Sequence, residues 1–259
     1  MKQLALFFLT TWRWWIWFVL LSVFSAIYKS PKIRAKFKGQ FGEKVVRKVL
    51  NNLPEEYIVL NDILLSKEAG TSQIDHIVLS PYGIFVIETK NYKGIITGSD
   101  NMANWCQNIY GHKKTFMNPV NQNIGHVKTL RKHLIEFGDL PIVPIVVFIS
   151  DCNLKINTKY PVIYAKQLLQ CVLKLSNKPV LGTARVNSIK EKLLADNITD
   201  KKARKKHNEE VKTKKGVSQQ SKANGKCPCC GGVLIAKQGQ FGAFLGCENY
   251  PKCKYTDNI

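Results

Sequence analysis

Residues 73–90 read Gln-Ile-Asp-His-Ile-Val-Leu-Ser, Pro-Tyr-Gly, Ile-Phe-Val-Ile-Glu-Thr-Lys. These are two apolar, β-branched runs of the kind that form strands, joined by a turn. Pro81 and Gly83 supply the turn dihedrals. The pattern predicts a hairpin whose open end carries Asp75 on one strand and Glu88 and Lys90 on the other. Two carboxylates converging there would hold a hard divalent cation through oxygen. Alternation sets Glu88 and Lys90 on one face of their strand, so an ammonium stands beside that cation. A metal ion and a lysine together can polarise a phosphoryl group and activate water.

Each of these residues also has a plainer reading. An acid on a strand is usually a solvated outward residue. Glu88 is less ordinary, because it follows Ile84-Phe85-Val86-Ile87, and a buried carboxylate is costly unless paired or metal-bound. Glu43 by itself reads as a first-turn acid favoured by the helix dipole, and Gln122 by itself as a surface polar residue. The wider pattern changes that balance. Gly39-Gln40-Phe41-Gly42-Glu43, Gln73-Ile74-Asp75-His76, Glu88-Thr89-Lys90-Asn91-Tyr92-Lys93-Gly94 and Asn118-Pro119-Val120-Asn121-Gln122-Asn123 occur in that order over residues 38–150. Together they resemble the nuclease-related domain, NERD, of the PD-(D/E)xK nuclease superfamily. The resemblance implies an α/β fold with a restriction-endonuclease-like mixed sheet flanked by helices. It implies a site of Asp75, Glu88 and Lys90, completed by Glu43 and Gln122. In such a site Asp75 and Glu88 bind Mg²⁺ or Mn²⁺, and Lys90 orients water or stabilises the developing charge. Glu43 assists through a second metal or the water, and Gln122 positions the metal shell or Lys90.

A net charge of +21 on 259 residues calls for a polyanionic partner, nucleic acid or an anionic membrane surface. Part of that charge follows an apolar N-terminus. Leu4 to Tyr28 is interrupted only by Thr10, Thr11, Arg13 and two serines, and Lys29, Lys32, Arg34, Lys36 and Lys38 come after it with no acid before Glu43. About twenty apolar residues span a bilayer. Arg13 can snorkel to the interface and the tryptophans suit an interfacial belt. The basic cluster argues for a retained anchor with the body in the cytoplasm, at the inner membrane, rather than a cleaved signal.

Five of the eight cysteines fall in the last 33 residues. Cys227, Cys230, Cys247 and Cys253 are spaced C-x₂-C-x₁₆-C-x₅-C, which fits a tetrahedral structural Zn²⁺. A segment this short needs the metal in order to fold. Cys229 could replace a neighbour in that assignment. Cys106, Cys152 and Cys171 read as structural thiols, and His76, His112, His126 and His133 as structural histidines. Residues 227–256 resemble the four-cysteine zinc ribbon at the C-terminus of bacterial type I DNA topoisomerases. That likeness implies binding of DNA, single-stranded by expectation. Phe241, Phe244, Tyr250 and Tyr255 offer stacking faces, with Tyr255 expected exposed, and Lys237, Lys252 and Lys254 offer phosphate partners.

The expected organisation is an anchor over 1–28, a basic spacer over 29–37, a nuclease-like domain over 38–199, a linker over 200–226 and the ribbon over 227–256. The linker has ten Lys or Arg against three acids and little that is apolar, a composition expected to be disordered. A helix is expected from Gly39 to Asn52 with Phe41, Val45, Val46, Val49 and Leu50 on one face. Strands are expected at 57–60, 74–79, 84–87, 142–149 and 161–164. Further helices are expected within 118–137 and at 167–175 and 186–194. The functional expectation is a membrane-anchored, metal-dependent DNA nuclease. The alternatives are a non-catalytic protein tethering DNA to the membrane and an RNA-directed nuclease.

Overall fold

The computed structural model describes residues 17–19, 21, 22, 31–227, 230–239, 242–253 and 255–258. Packing divides the chain into two units, residues 1–42 and 43–259. The division falls inside the first long helix, α1 (Pro31–Leu50). This helix starts well before the expected Gly39.

In the first unit, Trp17, Phe18, Val19, Leu21 and Ser22 are helical and exposed. The rest of the expected anchor, Leu4 to Tyr28, lies outside the described residues. Among the described residues no helix is long and apolar enough to cross a membrane. Phe41, expected on the core face of α1, is 62 % exposed.

In the second unit, α1 contributes Val46 and Leu50 to the core. The chain then runs β1 (Ile58–Lys67), β2 (Gly70–Ser80), β3 (Gly83–Lys90), β4 (Gly94–Ser99), β5 (Asn104–Ile109), β6 (His112–Met117), α2 (Pro119–His133), β7 (Ile142–Phe148), β8 (Cys152–Asn157) and β9 (Val162–Tyr164). After these come α3 (Leu168–Leu175), α4 (Thr183–Asp196), α5 (Lys201–Ala223), β10 (Leu234–Gly239), β11 (Gly242–Cys247) and β12 (Thr256–Asn258).

The main sheet has the order β1-β2-β3-β7-β9. β1 to β3 are antiparallel, and β3, β7 and β9 run parallel, so the sheet is mixed as expected. Both faces are covered. Ile77, Leu79, Ile84 and Val86 pack with Val127 and Leu130 of α2 and with Ile189 and Leu193 of α4. Val78, Phe85 and Ile87 pack with Val46 and Leu50 of α1 and with Leu168 and Val172 of α3. Double coverage explains why β3 is apolar at consecutive positions rather than alternately.

A second sheet, β6-β5-β4-β8, was not expected. It grows from the first, because the parallel neighbours β3 and β7 continue into the parallel neighbours β4 and β8. Gly94 makes the turn between β3 and β4 with φ +80°, and a Cβ there would meet the Asn108 carbonyl oxygen at 2.3 Å. The glycine of the Lys90-Asn91-Tyr92-Lys93-Gly94 run is therefore required by geometry.

Residues 200–226, expected as a disordered linker, instead contain the 23-residue helix α5. Asp200 caps it, its Oδ2 accepting from the Ala203 N–H at 2.7 Å. Lys, Arg, Glu, Gln and Ala are all good helix formers. Composition alone did not weigh that propensity, nor the contacts that seat the helix.

Candidate active site and zinc centre

The hairpin places its acids at an opening in the sheet. The β2–β3 ladder ends at the His76–Ile87 pair, one residue short of Asp75 and Glu88. Across β1 and β2, Asn61 pairs with His76 and Ile63 with Ile74, but Asp62 and Asp75 do not pair. Asp62 has φ 57°, the left-handed region that Asp tolerates better than most residues. Strict alternation fails here. Leu60 and Ile63 enter the same core cluster, as do Ile74 and Ile77. Asp75 thus sits where both of its ladders are interrupted, and its Oδ2 accepts the Thr89 N–H at 2.8 Å. On the other side, β7 pairs with Glu88, Thr89 and Lys90 without a break and holds them in register.

Glu88 is buried and ion-paired to Lys90. Lys90 Nζ also donates to Gln122 Oε1 at 3.1 Å. Glu88 Oε2 lies 3.2 Å from His126 Nε2, and His126 Nδ1 is 2.7 Å from Ser72 Oγ. Burial alone would push the Glu88 carboxyl up, but Lys90 and His126 outweigh it and hold it at about 2. The same pairing keeps the Lys90 ammonium charged against its burial. Asp75 is in the opposite position. Protein atoms enclose it, although part of its surface stays open to solvent, and burial followed by repulsion from Glu88 raises its carboxyl well above the usual range. Glu43, half-buried on α1, is raised by burial and then by Asp62 and Glu88.

The structure therefore brings Asp75, Glu88, Lys90 and Gln122 together. Glu43 feels the same field but does not form a close three-carboxylate group with Asp75 and Glu88. Among the described residues, the four tail cysteines are the one group of three or more His, Cys, Asp or Glu whose ligand atoms all lie within 4.8 Å. The Asp75–Glu88 pair fits a hard divalent cation on two counts. Its donors are carboxylate oxygens, and Glu88 Oε2 is buried without a well-aligned hydrogen bond. His126, expected to be merely structural, belongs to this site. Its position four residues after Gln122 on the same helix was the available signal. His76 stays structural: its Nδ1 is 2.7 Å from Asn61 Oδ1, and burial lowers it to about 4. His133 is held by Asp196 at 2.7 Å. Burial also pushes the Cys152 and Cys171 thiols up, as expected of inert structural cysteines.

The motif 118–123 has a structural account. Asn118 caps α2, its side chain accepting from the Val120 N–H at 2.9 Å, and Pro119 takes the first helical position. Asn123 is fully buried and donates to the carbonyls of Val86 and Ile145 at 2.9 and 3.0 Å, pinning α2 to β3 and β7. That pin is what delivers Gln122 to Lys90.

In the tail, Cys227, Cys230, Cys247 and Cys253 converge as their spacing predicted. The Cys227 and Cys253 sulfurs are 3.7 Å apart, and those of Cys230 and Cys247 are 3.3 Å apart. Gly231, at φ +78°, turns the first knuckle so that its N–H reaches the Cys227 carbonyl at 2.8 Å. Four sulfurs this close suit a tetrahedral Zn²⁺, and the donor set fits. Tyr255, expected exposed, is only 5 % exposed and packs among the cysteines, since so small a ribbon has little else to make a core. Tyr250 and Lys252 are exposed, Phe244 is half-buried, and Lys237 sits over the Tyr250 ring at 5.4 Å. Phe241, Lys254 and Cys229 lie outside the described residues.

Comparison with known proteins matches these two parts separately. Residues 38–149 match the nuclease-related domain, and residues 224–259 match the topoisomerase DNA binding C4 zinc finger. An uncharacterized protein of Bacillus anthracis is 40 % identical over 178 residues, covering 66 % of this chain and 82 % of that protein. DNA topoisomerase 1 of Methanocaldococcus jannaschii is 67 % identical over 33 residues, 13 % of this chain and 4 % of the enzyme. DNA topoisomerase 1 of Campylobacter jejuni is 46 % identical over 52 residues, 20 % of this chain and 7 % of the enzyme. The chain thus spans only a small fraction of those topoisomerases. No solved structure matches. The chain belongs to the nuclease-related domain family and carries a topoisomerase-type four-cysteine zinc ribbon.

Proposed function

We propose that this protein is a divalent-metal-dependent nuclease that hydrolyses phosphodiester bonds in DNA, held at the cytoplasmic face of the inner membrane by its N-terminus. The observation that carries the reading is the convergence of Asp75, Glu88, Lys90 and Gln122 at the interrupted sheet edge. Asp75 and Glu88 would hold Mg²⁺ or Mn²⁺, which when bound supplies an acidified water and charge neutralisation at the phosphate. Lys90 places a fixed ammonium where charge builds on the phosphoryl oxygens or the attacking water, and low-dielectric surroundings strengthen that interaction. Gln122 fixes the direction of the Lys90 ammonium, and His126 holds Glu88 from its other oxygen. The zinc ribbon supplies a DNA-holding surface, with Tyr250 and Lys252 exposed on it.

The test is the purified full chain with Mg²⁺ or Mn²⁺ on single- and double-stranded DNA and RNA. Lys90→Ala should cut the cleavage rate by roughly 10²–10³-fold, the size of loss seen when a preorganised charge stabiliser is removed, while DNA binding persists. Cleavage of RNA alone would reassign the substrate. Binding without cleavage under every metal condition would favour a protein that tethers DNA to the membrane.

A further inference from the structure

We propose that α5 is a guide for the nucleic-acid backbone: Lys201, Lys202, Lys205 and Lys206 form a cationic edge that leads a phosphodiester strand to the Asp75–Glu88 notch. The proposal deepens the nuclease reading and rests on it for the notch.

The helix is seated by one face. Arg204, His207 and Glu210 recur at three-residue spacing and are half-buried, whereas the four lysines are exposed. Every guanidinium nitrogen of Arg204 is engaged. Nη1 donates to Asp62 Oδ2 at 2.8 Å, Nη2 to the Asp62 carbonyl at 2.9 Å, and Nε to the Ile198 carbonyl at 2.9 Å. His207 Nδ1 lies 2.7 Å from Thr71 Oγ1 on β2. Asp62 also accepts from Gln73 Nε2 at 2.6 Å. Gln73 is two residues from Asp75 on the same strand, a separation of about 7 Å. The clamp therefore fixes the start of α5 beside the ladder interruption at Asp75, and the lysines face away from the clamp.

Charge distribution selects the partner. Lys201 with Lys205 and Lys202 with Lys206 are like charges at i,i+4, an arrangement that costs helix stability. Among the described residues no acidic side chain is ion-paired to any of the four. A polyanion laid along them removes that repulsion. A membrane surface fits less well. An interfacial helix buries an apolar face opposite its basic one, and here the opposite face is Arg204, His207 and Glu210, already committed to the sheet.

The test is binding of a short fluorescein-labelled DNA duplex to the full, zinc-loaded chain without added Mg²⁺ or Mn²⁺, followed by anisotropy from about 50 to about 200 mM salt. The quadruple variant Lys201→Gln, Lys202→Gln, Lys205→Gln, Lys206→Gln keeps helix propensity. It should flatten the slope of log affinity against log salt by roughly 3–4, about 0.9 per lost phosphate contact. The corresponding quadruple arginine variant should keep the parental slope. A glutamine variant whose slope is unchanged overturns the proposal. So does one that keeps its DNA slope but loses preference for phosphatidylglycerol over phosphatidylcholine vesicles, which would assign the lysines to lipid. Because binding is read without Mg²⁺ or Mn²⁺, a parent that cleaves nothing when either is added refutes only the nuclease reading. A parent that cleaves while the variant's slope is unchanged refutes only the guide.

Discussion

At the residue scale, Asp75 and Glu88 share one notch but are held in opposite electrostatic states. Lys90 and His126 serve Glu88, so Glu88 stays ionised and Asp75 carries the unfavourable share of burial and repulsion. A carboxyl raised in the folded state costs stability wherever it is ionised, and that cost vanishes below its unfolded value near 3.9. Asp75→Asn should therefore abolish cleavage while raising the melting temperature of the metal-free protein at pH 7. The scale is about 2–4 °C per kcal/mol of repulsion relieved in a chain of this size. The gain should shrink toward zero as pH falls to 4, and calorimetry in chelator at several pH values reads it. His76 gives the converse case. Its folded value of about 4 against an unfolded value near 6.5 means the unfolded chain binds the extra proton between those limits. Stability contributed by neutral His76 is present above pH 6.5 and is lost as pH falls toward 4, by up to ~3 kcal/mol. His76→Gln should remove that part of the pH slope in urea titrations, and an unchanged slope would assign it to other groups.

At the element scale, the turn between β3 and β4 is where the main sheet hands its two central strands to the second sheet. Gly94 has no room for a side chain and sits at positive φ, so Gly94→Ala carries both a backbone clash and conformational strain. The variant should lose at least ~2 kcal/mol of stability, with lowered cleavage because Lys90 lies just upstream. Equilibrium denaturation checks the first and single-turnover cleavage the second. Intact stability would show that β4 shifts freely and does not anchor the end of β3. The second sheet was hard to see in the sequence for a physical reason. β6 is His-Lys-Lys-Thr-Phe-Met and largely exposed, and β5 buries only Trp105 and Gln107. Such strands carry no continuous apolar signal; their pairing comes from chain continuity with β3 and β7. The helix α5 was missed for the complementary reason. Charge density suggested disorder, whereas specific bonds from Arg204 and His207 hold its first turns in place.

At the scale of the whole molecule, the two matched parts are joined by a segment that contains α5, and most of the net charge of +21 lies outside them, since residues 38–149 and 224–259 each carry only +2. The freshly purified chain should contain one Zn²⁺ bound by four thiolates. Stripping it with a chelator should unfold the ribbon, since its core consists of the cysteines and Tyr255. Deleting residues 227–259 should remove the salt-resistant part of DNA affinity, because base stacking, at ~1–3 kcal/mol per base, is less salt-sensitive than phosphate contact. Metal analysis and salt-titrated binding measure the two effects. A metal-free isolate, or unchanged affinity at every salt concentration, would end the claim.

The sequence by itself determined the hairpin with Asp75, Glu88 and Lys90 at its open end and the four-cysteine ribbon, whereas Gln122 joined the set only through the family resemblance. In each case the determinant is local: turn residues, β-branched runs and ligand spacing act over a few positions. Tertiary structure alone decided what those residues do to one another. It broke both ladders at Asp75, carried His126 to Glu88, aimed Gln122 at Lys90, buried Tyr255 and seated α5 on the edge of β1 and β2. Those outcomes depend on contacts between segments dozens to more than a hundred positions apart, on the Lys90 and His126 partners that decide which buried carboxylate stays charged, and on an Asp62 backbone turn that no residue pattern announces.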